Sequence, residues 1–461
     1  MKKQLLAALA AMAVTAGAFA QDFPAYLKMN GTVITGCDKD EVPDNLVIPE
    51  GVTEIDSRAF ENCAYLESVV IPSSVTKIGR YVFQNCTSLE SVTLSDGATV
   101  VGGFADCALL ANVTLPASVK VINNDAFSGC KALANITIPE GVEEIGDSAF
   151  RGSGLKTVTI PASVKVIGSS AFYGCASLES ATIAEGVEKI GYDAFRGTGL
   201  KAVAIPASVK EIGGSAFMDC ASLESATIAE GVEKIGDSAF RGTGLKTITI
   251  PKSVKSLGNF VFSGCNSLES VTLSRGITGL KDGTFKNCKA LRSVAIPRSV
   301  TSIDGYAFSG CVSLVVQFDG KIAQWEATTY KKNYFSGVNC TDGSVGIVEI
   351  PPYLYLEGTS VIGCDKDKLP SNVVIPEGVT SIGYEAFHAP SLKSVSIPKS
   401  VTDIYSRAFT YSNDNLVVQY AGTKEQWTAI GKGGKEGGIG YFAVRCSDGD
   451  FAKQDWDWNY F

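Results

Sequence analysis

The sequence predicts a mostly β solenoid, in which short parallel strands stack coil upon coil. A phenylalanine, usually preceded by alanine, recurs every 21 to 23 residues along most of the chain. Apolar residues hold fixed positions between these phenylalanines, while the many β-branched residues and prolines leave little room for long helices. The recurring phenylalanines are Phe60, Phe83, Phe104, Phe127, Phe150, Phe172, Phe195, Phe217, Phe240, Phe262, Phe285 and Phe308, followed after a gap by Phe387 and Phe409.

The coil that begins at Leu155 shows each predicted element in order. Alternating apolar residues form a strand, and the proline after them ends it because proline cannot donate to the ladder. Val164 and Ile167 begin the return side, Gly168 permits a turn, and Phe172 fills the interior, so that a short helical turn is expected at each AF segment. A period of 20 to 29 residues with fixed apolar positions is typical of a leucine-rich-repeat solenoid.

The first 20 residues are predicted to be a secretory signal peptide. They combine a basic start, an apolar run and a small-x-small end at Ala18 and Ala20. Without Lys2 and Lys3, the formal charge changes from −8 to −10. An acidic chain without a basic run argues against nucleic acid or an anionic membrane surface as the main partner. No later apolar run approaches the ~18 residues of a membrane span. We therefore expect an exported protein, at the cell surface or secreted, with the periplasm left open.

The coils are predicted to form two modules. The segment from Tyr26 is repeated from Tyr353, and two related segments end at Trp325 and Trp427. We expect a twelve-coil module with opening and closing caps over 21–348, a two-coil module over 349–451, and an aromatic, acidic tail over 452–461. The two tryptophans are expected to plug the open ends of the core.

The generic coil, L-x-x-V-x-I-P-x-x-V-x-x-I-G-x-x-A-F-x-x-C, resembles the BspA-like leucine-rich-repeat family of microbial surface proteins. The pattern recurs fourteen times and covers nearly all of the chain after the signal peptide. The resemblance implies an exported protein that engages host or neighbouring-cell proteins, fibronectin and fibrinogen among them.

Charged residues form two rows whose sign alternates from coil to coil. Opposite charges are favourable lateral neighbours in a parallel stack, so self-compensating ladders that fix register are predicted. A surface that reads a charged partner is the alternative. The row after each strand-opening leucine is Lys156, Glu179, Lys201, Glu224, Lys246, Glu269 and Arg292. The row on the return side is Lys120, Glu143, Lys165, Glu188, Lys210, Glu233 and Lys255.

Aromatic residues concentrate near the C-terminus, where all four tryptophans lie within 325–458. The final DWDWNYF segment either folds back as a cap or is an exposed recognition or sorting peptide. Its candidate binding residues are Trp456, Trp458, Tyr460 and Phe461. The sequence thus favours a scaffold that binds extracellular or cell-surface proteins or mediates adhesion. A carbohydrate-binding surface protein that uses the aromatic-rich 313–461 region is the alternative.

No catalytic, cofactor-binding or metal-ligating residues are predicted. The single histidine, His388, has no nucleophile signature around it, and no C-x-x-C pair occurs. The CDKDE and CDKDK segments at 37–41 and 364–368 lack the ligand run of a calcium loop. A hydrolase would need paired carboxylates in a pocket, whereas most acids occupy repeating outward positions. We therefore expect a non-enzymatic protein.

Nine of the thirteen cysteines occupy one position of the coil, three residues after the phenylalanine. The three AFRGxGLK coils lack this cysteine, and their turn is one residue shorter. We predict that the row consists mostly of free, buried thiols, and that the shorter turn is closed by glycine. The row is Cys63, Cys86, Cys107, Cys130, Cys175, Cys220, Cys265, Cys288 and Cys311.

Overall fold

The architecture was established from a computed structural model. It describes residues 23–330, 337–345, 351, 353–357, 359–410, 412, 415–433 and 442–451. The predicted signal peptide and C-terminal tail lie outside these residues. The described chain is a parallel β solenoid, so the predicted fold class is confirmed.

Most coils contribute one long and one short strand. The long strands up to the first closing segment are β3 (Asn45–Val47), β5 (Ser68–Ile71), β7 (Ser91–Leu94), β9 (Asn112–Thr114), β12 (Thr157–Ile160), β14 (Ser180–Ile183), β16 (Ala202–Ile205), β18 (Ser225–Ile228), β20 (Thr247–Thr249), β22 (Ser270–Thr272), β24 (Ser293–Pro297), β26 (Val315–Asp319) and β28 (Gly337–Cys340). The short strands of the same series are β2 (Val33–Cys37), β4 (Glu54–Ile55), β6 (Lys77–Ile78), β8 (Val100–Val101), β10 (Val121–Ile122), β11 (Glu144–Ile145), β13 (Val166–Ile167), β15 (Lys189–Ile190), β17 (Glu211–Ile212), β19 (Lys234–Ile235), β21 (Ser256–Leu257), β23 (Gly279–Leu280), β25 (Ser302–Ile303) and β27 (Thr329–Tyr330).

A second series of strands follows. Its long strands are β32 (Asn372–Val374), β34 (Ser394–Ile397), β36 (Val417–Tyr420) and β38 (Ala443–Cys446), and its short strands are β31 (Ser360–Cys364), β33 (Ser381–Ile382), β35 (Asp403–Tyr405) and β37 (Gly431–Gly433). Four further strands are β1 (Leu27–Asn30), β29 (Gly343–Val345), β30 (Leu354–Glu357) and β39 (Gly449–Phe451). The two described helices are α1 (Ile322–Glu326) and α2 (Lys424–Ala429).

Consecutive coils pair in parallel and in register. In the β12–β14 pair, Thr157 faces Ser180 and Ile160 faces Ile183, one coil further along the chain. Antiparallel hairpins flank each series: β1–β2 and β30–β31 open them, and β28–β29 and β38–β39 close them. The buried apolar residues form one cluster from Leu27 to Val338 and a second from Leu354 to Val444.

The repeating phenylalanines form the spine of the core. From Phe60 to Phe308, neighbouring rings stack with their centroids 5.1 to 5.7 Å apart. Phe387 and Phe409 stack in the same way at 5.4 Å. The side chains of Trp325 and Trp427 are buried in the helices that follow β26 and β36, as predicted for residues that close the core.

The AF segments are tight turns that also bond from coil to coil. Around Phe172, the N–H groups of Ser170, Phe172 and Gly174 donate to carbonyls of the next coil at 2.7 to 2.8 Å. Ser170 and Gly174, two residues before and after the phenylalanine, have φ angles of 57° and 68°. Most of the expected short turns therefore contain two left-handed residues, which prevents them from continuing as a helix.

The cysteine row lies in this core, and all nine of its members are buried and free, as predicted. From Cys86 onward, each thiol donates to the carbonyl oxygen of the phenylalanine in the preceding coil, with sulfur–oxygen distances of 2.9 to 3.2 Å. Each of these carbonyls also accepts the backbone N–H of the residue three positions later, so the thiol is its second donor inside the core.

The AFRGxGLK coils place a hydroxyl where the other coils place a thiol. Thr198 Oγ1 donates to the Phe195 carbonyl at 2.9 Å and lies 3.2 Å from Cys220 Sγ. Ser153 and Thr243 occupy the same position in the other two coils. Gly199 closes the shorter turn, because a Cβ there would lie 2.5 Å from the Ala176 carbonyl oxygen. The row is thus continuous, with serine or threonine in place of three cysteines.

Candidate protein-binding surface

The strand-side charge row forms ion pairs along the stack. Glu179 pairs with Lys201 and Glu224 with Lys246, both at 2.6 Å between nitrogen and oxygen. The hydrogen bond from Lys201 is the largest cause that holds the pKa of Glu179 below its usual range, and Lys156 adds to this effect. The bond to Glu224 is the largest cause that raises the pKa of Lys246, with a further contribution from Glu269. These predicted site residues are therefore brought together, and they compensate one another.

The return-side row pairs in the same manner at longer range. Lys120 lies 3.8 Å from Glu143, and Lys165 lies 3.8 Å from Glu188. The outward residues of the long strands between these rows are small, as at Thr157 in β12. Neither charge row has large anchor side chains beside it, and such anchors usually dominate protein interfaces.

Larger side chains project from the turns instead. We call the outward residues within four positions of a core phenylalanine the AF-turn face. Its most developed part is the row directly after the phenylalanine, where five consecutive coils carry Arg151, Tyr173, Arg196, Met218 and Arg241. Arginine, tyrosine and methionine are enriched at protein interfaces. We call these five residues the arginine–tyrosine stripe.

Tyr173 lies between two guanidinium groups. The Cζ atom of Arg151 is 5.1 Å from its ring centroid, and that of Arg196 is 5.7 Å away on the other side along the stack. Both distances fall within the ~6 Å range of a cation–π contact. The ring is thereby held in one orientation, while its outer edge remains partly exposed.

Acidic residues fix the central arginine of the stripe. Arg196 lies 3.5 Å from Asp193 and 3.7 Å from Asp219. Burial raises the pKa of Asp193, and the charge of Arg196 opposes that rise. Among the residues that the structure describes, Arg151 and Arg241 have no carboxylate within ion-pair distance. The stripe therefore has a neutralised centre and a positive charge at each end.

Two further aromatic rings on the AF-turn face lie over glycines of the following coil. The Tyr192 ring, whose residue is 56% exposed, lies where a Cβ on Gly214 would approach it to 3.1 Å. Phe260 lies over Gly283 in the same way. Phe260 also has a φ of 56°, a left-handed backbone that bulky residues rarely adopt. The chain thus tolerates backbone strain to place an aromatic ring on this face.

This surface was not predicted from the sequence. The surfaces predicted there were the charge rows and the C-terminal tail, whereas the stripe lies on the turns. The signal was nevertheless present, because the arginine of each AFRGxGLK copy is one of its members. The alternation of that copy with a different coil places Tyr173 and Met218 between the arginines.

The sequence profile of a known family, described as the BspA type leucine rich repeat region, matches this chain in 6 copies. The matched residues are 42–103, 101–224, 210–336 and 365–425, which together make up more than half of the chain. The chain belongs to this family. The resemblance inferred from the coil pattern is therefore confirmed.

Solved structures similar to this BspA-type chain come from bacteria. A leucine-rich repeat protein from Bacteroides ovatus is 26% identical, with 93% of this chain and 100% of that chain covered and a TM-score of 0.51. A leucine rich cell surface protein from Faecalibacterium prausnitzii is also 26% identical, with 89% and 98% covered and a TM-score of 0.41. No curated protein matched the chain.

The remaining chemical groups are scattered over the BspA-type solenoid. Within the described ranges, no three histidine, cysteine or acidic side chains are grouped so that they could hold a metal ion. Asp365 of the CDKDK segment pairs with Lys368 at 3.0 Å. His388 is half-buried beside the core residue Phe387. No helix in the described part of the chain is long and apolar enough to cross a membrane. Trp456, Trp458, Tyr460 and Phe461 lie outside the described residues.

Proposed function

We propose that this protein is an exported, non-enzymatic scaffold that binds extracellular or cell-surface proteins through its AF-turn face. Family membership supports a repeat scaffold for protein interaction. The observation that carries the finer proposal is the arginine–tyrosine stripe, in which Tyr173 is held between Arg151 and Arg196. A rigid aromatic anchor flanked by arginines loses little conformational entropy on binding.

The charge at the ends of the stripe indicates the chemistry of the partner. Arg151 and Arg241 are four coils apart, which is roughly 19 Å at ~4.8 Å per strand. A partner surface with an aliphatic or aromatic centre and acidic groups at its edges would complement both ends.

The proposal of export rests on the sequence of residues 1–20. N-terminal sequencing of the protein recovered outside the cell tests it, with Gln21 expected as the first residue.

Binding can be measured by immobilising the chain from residue 21 and titrating purified fibronectin, fibrinogen and proteins released from neighbouring cells. Tyr173→Ala is expected to weaken a saturable interaction about tenfold or more, the scale of a hot-spot residue. Arg151→Ala combined with Arg241→Ala is expected to raise the dissociation constant and to reduce its salt dependence.

Matched controls separate the stripe from the charge ladder. Gln84 occupies the same position of the turn as Tyr173, four coils earlier, and Gln84→Ala should leave binding unchanged. Lys201→Gln and Lys246→Gln remove ladder charges and should also leave it unchanged. If the ladder variants abolish binding and Tyr173→Ala does not, the partner is bound by the strand-side row, including Lys156 and Glu269. Loss of binding on removal of residues 452–461 would assign recognition to the tail.

Carbohydrate binding is the second candidate, because Tyr384 and Tyr405 on adjacent coils are 55% and 50% exposed. Trp325 and Trp427 are buried and therefore cannot stack on a sugar. A glycan array with the intact chain, with Tyr384→Ala and with Trp456→Ala and Trp458→Ala tests this function. Signals that persist in all these variants would exclude the aromatic-rich region as the glycan site.

We also propose that the two series of coils act as modules, over 21–348 and 349–451. The support is that each series begins with a hairpin of the same register and bulge position and has its own buried cluster. Calorimetry that resolves two transitions would support the division, whereas one cooperative transition would contradict it.

A further inference from the structure

The first thiol of the cysteine row has a different neighbour from all the others. From Cys86 to Cys311, each row thiol donates to the carbonyl of a phenylalanine in the coil before it. Cys63 belongs to the first coil, so the opening hairpin occupies the place of that earlier carbonyl. The group that meets Cys63 Sγ there is Cys37 Sγ, at 3.6 Å.

Both cysteines lie in parts of the chain whose backbone is hydrogen-bonded. Cys37 is the last residue of β2, where it pairs with Leu27 of β1, and Cys63 follows the core residue Phe60. The two cysteines are 7% and 2% exposed. They therefore face each other across the joint between the opening hairpin and the first coil.

We propose that Cys37 and Cys63 are a redox pair that forms a disulfide and so fastens the opening hairpin to the first coil. Neither the family nor the function proposed above assigns such a bond, and the proposal does not depend on the binding partner. The bond would link residues 26 positions apart. Its place is the open end of the stack, where a solenoid lacks one neighbour and needs a cap.

The second series provides an internal comparison. Cys364 ends β31 as Cys37 ends β2, at an offset of 327 residues. The residue equivalent to Cys63 is Pro390. The second hairpin therefore has one cysteine, and no cysteine stands at the position equivalent to Cys63, so this juxtaposition belongs to the first hairpin.

The chemistry requires a disulfide oxidant, such as glutathione disulfide or the disulfide of a thiol oxidase. The Cys37 thiolate attacks one sulfur of the oxidant, and one thiolate of the oxidant leaves. The Cys63 thiolate then attacks Cys37 Sγ and releases the second oxidant thiolate. Two protein thiols and one disulfide thus become one protein disulfide and two small thiols, which take up the two protons. The hydrogen bond from Cys63, with help from Lys39 and Lys28, lowers the pKa of Cys37, which suits it to be the first nucleophile.

The test counts thiols and maps the bond. The reduced chain from residue 21 is unfolded in denaturant and refolded with glutathione disulfide, so that burial cannot protect either sulfur. It is then alkylated under denaturing conditions and digested with trypsin. The expected result is a fall from thirteen free thiols to eleven, with a linked pair of peptides, residues 29–39 and 59–77. Hydrogen exchange in β2 is expected to slow by ~10-fold or more relative to the reduced protein.

Variants give the matched controls. Cys37→Ser and Cys63→Ser are each expected to keep all twelve remaining thiols, whereas Cys364→Ser should fall from twelve to ten. Thirteen free thiols in the refolded protein would overturn the proposal. A bond between Cys63 and Cys86, or glutathione attached to Cys37 without the linked peptides, would also overturn it.

Discussion

Phe172→Ala tests whether the phenylalanine stack holds neighbouring coils together. The Phe172 side chain is fully buried, and its ring stacks on Phe150 at 5.3 Å and on Phe195 at 5.1 Å. Truncating a buried phenylalanine costs about 3–5 kcal/mol, and each aromatic pair contributes about 0.5–1.5 kcal/mol beyond the buried area. The truncation cost already includes lost ring contacts, and because both pairs are lost together we expect the free energy of unfolding to fall by an amount in the upper part of that range, about 4–5 kcal/mol.

Tyr173→Ala is the matched control, since it removes a ring of similar size from the next residue of the same turn. Its two cation–π contacts are at the surface, where each contributes about 0.5–1 kcal/mol, so the expected loss is at most ~2 kcal/mol. Guanidinium unfolding followed by circular dichroism measures both variants. Hydrogen exchange at the Phe172 amide, which donates to the Ala194 carbonyl, reports the coil itself. Equal losses in the two variants would refute the idea that the buried stack couples the coils.

Two other substitutions test the close turn and the charge ladder. Gly199→Ala is expected to destabilise the protein by about 1–3 kcal/mol more than Gly197→Ala, because only a Cβ at position 199 meets the Ala176 carbonyl. Thermal unfolding in which Gly197→Ala is the less stable variant would contradict this. Lys201→Gln is expected to return the pKa of Glu179 upward towards its ordinary value of 4.5, as read by NMR titration. Since the paired carboxylate has a lowered pKa, its stabilising effect is present above pH 4.5 and is lost as the pH falls below the folded pKa. The stability of the variant should lack this dependence on pH.

The spacing of apolar residues was sufficient to predict the coil, because strand alternation and the turn residues both act locally. Phe172 and Val164 could be assigned to the core in this way, and the burial of the cysteines followed from their fixed position. Register between coils followed as well, since Lys201 and Glu179 carry opposite charges at the same position of adjacent coils.

Features that depend on a neighbouring coil were not predictable. Phe260 occupies the left-handed position two residues before Phe262, and Gly283, one coil later, leaves room for its ring. The local sequence of Phe260 does not indicate that its ring lies over a glycine of the next coil. In the same way, the position of Tyr173 between two arginines depends on residues 22 and 23 positions away. The pairing of Cys37 with Cys63 depends on how the opening hairpin packs against the first coil.

The tandem double coil has a consequence for how such a protein can change in length. The AFRG segments at Phe150, Phe195 and Phe240 are 45 residues apart. In the strand-side row, the glutamate of one copy pairs with the lysine of the next, as Glu224 does with Lys246. An inserted copy of these 45 residues would therefore find its ionic partners, ring neighbours and hydroxyl–thiol contacts already matched on both sides. It would also extend the arginine–tyrosine stripe by one unit, about 10 Å at two strand spacings. Gene duplication could thus lengthen the surface in uniform steps without repacking the core. The length of the chain would then set how many sites a long partner can bind at once.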